Sequence, residues 1–301
     1  MIADGIHLDI SPHDYHAWEF NPDEPAKGPV SNSLLKRFVK VGPLAFKYGP
    51  RRQQVSAAMS WGSLVDCLLF TPDQFEIEFS LKSDNPHLSA GGGVRSKAAR
   101  EWQAEREGAG SRFIKDEDQE NALLAVQRLR ETPVAAEILD EADSQVAIVY
   151  TADHGVPFKA LLDTVPHHLD HDDCIADLKT TGANLYSDDD LARSVGKFGY
   201  HIQAALYLYV WNKVSDDHRN RWKIVWQSSS PPYEVRVTEL DQGWLEAGRS
   251  YVSYHMPRFL RALKSDCFKS PFSNSETFLP LHSAMLYGDD AEMELLSMIG
   301  A

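Results

Sequence analysis

Two short apolar runs, each broken by charge, constrain the fold of this 301-residue chain more than any other feature. The first, Phe158-Lys-Ala-Leu-Leu-Asp163, ends on a carboxylate. The second, Cys174-Ile-Ala-Asp-Leu-Lys-Thr-Thr181, carries Asp177 and Lys179 in its interior. Runs this short and apolar predict buried strands, where a carboxylate without a partner is costly. Strand side chains alternate, so Asp177 and Lys179 share one face while Leu178 enters the opposite packing layer. Between the runs, Pro166-His-His-Leu-Asp-His-Asp-Asp173 is too polar to continue a buried strand and predicts a hairpin loop. Folding back there brings Asp163 beside Asp177.

Two oxygen donors on adjacent strands suit a hard cation such as Mg2+, which keeps several waters and takes one or two carboxylates plus substrate phosphate. Such a cation polarises the phosphate and lowers the pKa of a bound water. Lys179 is then placed to orient that water or to stabilise charge on the phosphorus centre. Spacing alone leaves a plainer reading open, because Asp-x-Lys recurs by chance and an acidic residue ending a strand is often only a turn former.

The surrounding segments resemble the PD-(D/E)XK nuclease superfamily, and within it the RecE-like (exodeoxyribonuclease VIII) group of phage and prophage exonucleases. Val30-Ser-Asn-Ser-Leu-Leu-Lys36 with Gly42-Pro-Leu-Ala-Phe-Lys-Tyr48 is similar to that group's opening helix and Pro-x-x-(Phe/Tyr) segment. Gly62-Ser-Leu-Val-Asp-Cys-Leu-Leu69 and Thr71-Pro-Asp-Gln-Phe75 resemble its Gly-x-x-x-His helix and the Pro-x-x-Phe that follows. Arg95-Ser-Lys97 and Trp102 match a basic, helical middle region. Gly155-Val-Pro-Phe-Lys-Ala-Leu-Leu-Asp163 and Ile175-Ala-Asp-Leu-Lys-Thr-Thr181 resemble the two metal motifs, and Tyr200-His-Ile-Gln-Ala-Ala-Leu-Tyr207 resembles the Tyr-x-x-Gln-Ala-Ala-x-Tyr helix.

The resemblance implies an α/β (α+β) restriction-endonuclease-like core with a mixed central sheet flanked by helices. It implies Asp163 and Asp177 as ligands of Mg2+ or Mn2+ and Lys179 as the catalytic lysine. Gln203 and Tyr200 would lie on the helix bordering the site, near the attacking water or the DNA backbone. The implied activity is exonucleolytic hydrolysis at double-stranded DNA ends in phage-type recombination, by a homo-oligomeric ring working beside a single-strand annealing protein. Three positions depart from the group. Asp66 stands where a metal-binding His is usual and is a competent Mg2+ or Mn2+ ligand, or else a solvent-facing helix residue. Gln145 and Gln227 stand where relatives often have Glu, which removes negative charge near the presumed site. A binding protein on the same fold with weak or no catalysis, and an endonuclease of restriction or defence, are the alternatives.

Composition sets bounds. A content of 43% hydrophobic and 25% charged residues is that of a soluble globular protein. No apolar run is long enough for a bilayer and no signal segment is apparent, so the expected location is the cytoplasm of a bacterial host. The three cysteines, Cys67, Cys174 and Cys267, form no Cys-x-x-Cys pair, which argues against a zinc ribbon or an iron–sulfur cluster. His167, His168, His171 and His201 recur near the motifs, but the first three fall in the expected solvent loop, and no fixed ligand pair accompanies them for zinc. A net charge of −14 requires a local basic channel if DNA is the substrate. Candidate patches are Lys36-Arg37 with Lys40, Arg51-Arg52, Arg95 with Lys97 and Arg100, and Lys197; each is otherwise a solvated face. Arg95 and Lys97 follow Gly91-Gly-Gly93 and open a predicted helix, a candidate seat for a terminal phosphate.

Along the chain, residues 1–30 suggest an irregular arm, 31–269 the nuclease domain, and 270–301 a tail with a short acidic amphipathic helix at 289–299. Ser31 is placed to cap a helix reaching about Val39, with Pro43 opening another. Helices are expected at 60–69, 95–108, 116–131, 200–214 and 240–263, and strands at 145–150, 158–163, 174–180, 221–227 and 233–237. Asp188-Asp-Asp190 is expected in a loop. Tyr207, Tyr209 and Trp211 cannot share one face, which suggests a helix buried on several sides.

Overall fold

The computed structural model describes residues 2–21, 24, 28–50, 57–89, 92–152, 155–168, 170–171 and 173–270. The expected tail helix at 289–299 and the Arg51-Arg52 patch therefore lie outside the described residues.

The N-terminal stretch is more ordered than its composition suggests. Gly5–His7 forms β1, and Pro12–Ala17 forms α1, capped by Ser11 Oγ, which accepts from Asp14 N at 3.0 Å. Asn32–Tyr48 forms α2. Ser31 caps it by accepting from Leu34 N at 3.3 Å, and the helix kinks at Gly42 (φ 80°), where Pro43 opens the second half. Next come α3 (Ala57–Phe70), α4 (Phe75–Glu78), β2 (Phe79–Leu81), α5 (Lys97–Gly108), β3 (Arg112–Ile114), α6 (Asp116–Glu131) and α7 (Pro133–Asp140). Then follow β4 (Ala142–Thr151), β5 (Pro157–Pro166), β6 (Cys174–Thr181), α8 (Asp188–Phe198), α9 (Tyr200–Val214), β7 (Arg221–Ser228), β8 (Val235–Glu239) and α10 (Gln242–Ser265). The Asp188-Asp-Asp190 run is thus the first turn of α8, not a loop. Three carboxylates there complement the positive end of the helix dipole, and Ser187 Oγ caps it by accepting from Asp190 N at 3.2 Å.

The main sheet has the order β1-β4-β5-β6-β7-β8. Every neighbouring pair is antiparallel except β6–β7, which is parallel. A parallel pair needs a crossover, and α8 and α9 provide it. The β6–β7 pairing sets Asp177 opposite Ile224 and Lys179 opposite Trp226. Helices α2, α8, α9 and α10 cover one face through a cluster containing Ile175, Ile224, Trp226, Leu208 and Phe259. Helices α3, α6 and α7 cover the other through a cluster containing Leu178, Val225, Leu129 and Ile138. The result is the mixed sheet between helical layers that the sequence resemblance implies.

Helix α9 buries Ile202, Ala204, Ala205, Leu206, Tyr207, Leu208, Val210 and Trp211 while Tyr209 stays half exposed, in keeping with a helix enclosed on several sides. It packs against α10 so closely that a Cβ on Gly248 would fall 2.1 Å from His201 O. Only glycine permits that approach, and it sets the close α9–α10 spacing.

The loop histidines do not behave as a group. His167 is exposed and lies 3.0 Å from an Asp143 carboxylate oxygen. His171 is buried, contrary to the solvent position expected of it. Its Nδ1 is 2.6 Å from the buried Lys223 ammonium, and its Nε2 is 3.6 Å from Glu137. A buried lysine needs an acceptor, and this imidazole supplies one.

Candidate active site

β6 carries Asp177 and Lys179 toward α9, whereas Ala176 and Leu178 enter the opposite cluster, as strand alternation requires. Asp177 is only 2% exposed. Gln203, in the first turn of α9, donates from Nε2 to Asp177 Oδ1 at 2.7 Å. The Lys179 ammonium forms an ion pair with Asp177 Oδ2, an oxygen otherwise without a hydrogen bond.

The hairpin expected between Asp163 and Asp177 is present, with a departure at the important point. β5 and β6 share the register pair Thr164–Ala176, which by continuation sets Asp163 across from Asp177. There the Asp163 side chain takes the ladder's place: Leu178 N donates to Asp163 Oδ2 at 2.8 Å. Phe158, Ala160, Leu162 and Val165 all pack into the α9-side cluster, so the two-residue period breaks between 162 and 165. Across β4, the residue between the pairs Ser144–Thr164 and Val146–Leu162 is Gln145, buried with φ 52°. A non-glycine residue held in the left-handed region costs roughly 1–3 kcal/mol, and such strain clusters at functional sites. Gln145 uses this position to direct its Nε2 at both Asp66 oxygens, 3.4 Å from each.

Asp66 comes from α3, on the opposite side of the sheet, as a half-buried residue facing the site, not solvent. Burial pushes its carboxyl up to about 7; Lys179 opposes that rise, while Asp177 and Glu78 add to it. Asp163 is pushed well above the ordinary carboxylate range by burial, then by repulsion from Asp177 and Asp66, against Lys179 and the Leu178 N–H. Burial acts against the charged form of Lys179, but attraction to Asp177 and Asp163 outweighs it and holds this ammonium above its usual range. A lysine so held carries its charge near neutrality.

A second lysine joins this group. Lys36 of α2 donates from Nζ to Phe198 O at 2.9 Å. Burial, then the Lys179 charge, lowers its pKa to about 8, with Asp177 opposing. The sequence marks Lys36 only as part of a basic patch; that α2 brings it to Asp177 is a tertiary fact. Tyr200 lies with its ring 5.1 Å from Lys179 Nζ, at the border that the resemblance implies.

Other expected residues lie elsewhere. Gln227 is fully buried and donates from Nε2 to Ala125 O of α6 at 2.6 Å. It faces the α6 layer, not the Asp177 face, so its amide replaces no charge at the site. Arg95 and Lys97 are exposed at the start of α5, where Ser96 is the cap and Lys97 pairs with Glu101 at 3.6 Å. No described contact joins them to Asp177 or Lys179.

The donor set fits a divalent cation in one respect and leaves it open in another. Asp66, Asp163 and Asp177 form an excess of mutually repelling carboxylate, which a hard cation relieves. Among the described residues, however, no group of three or more His, Cys, Asp or Glu side chains stands ready-made as a metal cage. Mg2+ requires no such cage, since it is commonly held by one or two carboxylates with waters and substrate oxygen.

The family "PDDEXK-like domain of unknown function (DUF3799)" matches residues 31–270. The chain belongs to the DUF3799 family. No curated protein matches it. Among solved structures, a protein of Eubacterium rectale described as "Putative exonuclease" is similar over 92% of this chain and 97% of its own, with 17% identity and a TM-score of 0.56. At that identity the likeness concerns fold. A second structure, of SSO0001, is 13% identical over 65% of this chain and 86% of its own, with a TM-score of 0.28, too low to argue from. The DUF3799 domain here is thus PDDEXK-like by family, and its acidic and lysine side chains converge at parted strands of the sheet. Among the described residues, no helix is long and apolar enough to cross a membrane.

Proposed function

We propose that this chain is a divalent-metal-dependent exodeoxyribonuclease acting at double-stranded DNA ends. The observation that carries the proposal is the state of Asp177, buried, bonded by Gln203, ion-paired with Lys179 and coupled to Asp163 and Asp66. Asp163 and Asp177, with Asp66, would hold Mg2+ or Mn2+, and the bound metal supplies polarisation of the phosphate and a water of lowered pKa. Lys179, kept charged, stabilises negative charge as it grows on the phosphate oxygens. Gln203 fixes the Asp177 carboxylate, and Gln145 orients Asp66. The Tyr200 ring shields one side of Lys179 from water.

Preference for ends over internal bonds draws on the resemblance to RecE-like exonucleases and on the fold shared with the Eubacterium rectale protein. From the same resemblance come a homo-oligomeric ring, a single-strand annealing protein as partner, and a place in phage-type recombination. The test is incubation of linear and covalently closed circular DNA with Mg2+ or Mn2+. Progressive loss of linear DNA with an intact circle is expected, and Asp177→Asn and Lys179→Ala should abolish it. A nicked circle would make the enzyme an endonuclease.

A binding protein without catalysis is the second reading. It is favoured by the engagement of both Asp177 oxygens with the protein's own side chains. Retention of both DNA forms together with tight binding would establish it.

A further inference from the structure

A run of rings leads from solvent to the catalytic lysine. Phe198, the last residue of α8, stacks on Tyr200, the first of α9, at a centroid distance of 5.6 Å and an interplanar angle of 28°. The Tyr200 ring in turn lies 5.1 Å from Lys179 Nζ. Gly199 between them adopts φ 65°, the left-handed turn that ends one helix and begins the next. That turn lets two rings two residues apart stack, and Lys36 fastens it by donating to Phe198 O.

Phe198 is 49% exposed, although core positions lie one turn away at Val195 and Ile202. This half-exposed apolar ring is fixed in backbone and stacked toward the Lys179 centre, with one face of the pair open to solvent. Lys197 Nζ also approaches it, 5.2 Å from the ring centroid. Lysines thus stand at both ends of the pair, with Lys36 at its backbone, in a chain whose net charge is −14. Local cations around an exposed aromatic surface are the combination that a single nucleic-acid strand uses: bases on the rings, phosphates on the lysines.

We propose that Phe198 and Tyr200 form a stacking platform for the unpaired terminal nucleobase of the DNA strand entering the Asp177–Lys179 centre. The proposal rests on the nuclease reading and adds to it a positioning residue, Phe198, and a ligand class, a nucleobase of any identity. Any base has a stacking face, so the platform discriminates frayed from paired ends rather than sequence. Lys197 leaves the outer ring when a base arrives, because an exposed cation–π contact is weaker than base–aromatic stacking.

The experiment uses the full chain in EDTA, so that binding is read without cleavage. The probes are short single strands and frayed duplexes bearing 2-aminopurine at the end, and the same oligonucleotides with an abasic terminus. Wild type and Phe198→Trp should quench the 2-aminopurine on binding, and Phe198→Ala should not. Phe198→Ala should bind the base-bearing strand about five- to a hundredfold more weakly, and removing the terminal base should weaken wild type similarly while leaving Phe198→Ala nearly unchanged. If wild type binds DNA and Phe198→Ala retains the full preference for the base-bearing end, the platform is refuted while the nuclease reading stands. If wild type binds no DNA in EDTA, the platform is overturned, while the nuclease reading is decided separately by the cleavage test with Mg2+ or Mn2+. If Phe198→Ala changes only the oligomeric state in sedimentation, the ring is a contact between copies of this chain and the proposal is overturned.

Discussion

Asp66→Asn should stabilise the metal-free protein, and the gain should depend on pH. The Asp66 carboxyl is raised from 3.8 to about 7 by burial, with Asp177 and Glu78 adding to it. Well below pH 3.8 the residue is protonated in both the folded and unfolded chains, so its ionisation contributes nothing. Between 4 and 7 the unfolded chain releases the proton while the folded chain keeps it, and stability falls as pH rises. Above 7 the whole penalty is present. The rise from 3.8 to about 7 corresponds to about 4 kcal/mol, and about 1 kcal/mol of that already applies at pH 4.5. Asp163 can share the burden of the proton, which reduces the observed gain. Asparagine keeps the shape and still accepts from Gln145. The expected gain is therefore small at pH 4.5 and roughly 2–4 kcal/mol at pH 8. Urea titrations of both proteins in EDTA at the two pH values measure it. A gain equal at both pH values, or a loss at pH 8, would refute the placement of Asp66 among repelling carboxylates. Adding Mn2+ should narrow the difference by stabilising wild type more than Asp66→Asn, since a metal-bound carboxylate no longer carries this penalty.

Four further perturbations test other parts of the structure. Lys179→Ala leaves the buried Asp177 with Gln203 alone and should destabilise by about 3–5 kcal/mol; adding Asp177→Asn should restore most of that in denaturant titration, and additive losses would contradict the pairing. Gly248→Ala forces a methyl to 2.1 Å from His201 O and should lower stability by at least ~1–3 kcal/mol, with a parallel loss of DNA cleavage because α9 carries Gln203; full activity at reduced stability would separate the α9–α10 spacing from the site. Gln227→Glu should destabilise by several kcal/mol, since it buries a carboxylate against Ala125 O, and should leave metal affinity unchanged in calorimetry; tighter metal binding would place residue 227 at the site after all. Mg2+ or Mn2+ should raise the melting temperature of wild type and EDTA should reverse the rise, whereas Asp163→Asn should lose most of it.

Much of this arrangement is legible in the sequence, for reasons that differ by element. The 174–181 strand is apolar up to Leu178 except at Asp177, with Lys179 and two threonines at its end, so period and charge together mark it. Ser31, Pro43 and the aromatic excess of 200–214 identify α2, its kink and α9, because caps, proline and all-round burial are local signals. The segments 133–140 and 188–198 were hidden for the opposite reason. Pro133–Asp140 is a short helix directly after another, and the acidic Asp188-Asp-Asp190 opening resembles a loop until its helix dipole is known.

The sequence by itself determined the superfamily resemblance, the face shared by Asp177 and Lys179, and the hairpin that sets Asp163 opposite. The resemblance rests on motifs spread along the chain, whereas the shared face and the hairpin follow from periodicity and polarity over a few residues. The tertiary structure alone decided which distant side chains complete the site and which do not. Asp66, Gln145, Lys36 and Gln203 come from four different elements, and their electrostatic coupling depends on distances that no local pattern encodes. Gln145 and Gln227 look equivalent as Glu replacements. One holds a strained backbone beside Asp66, while the other bonds a helix carbonyl in the core. Burial holds the carboxyls of Asp66 and Asp163 above the ordinary range, because charge repulsion and desolvation arise only when the chain is folded around them.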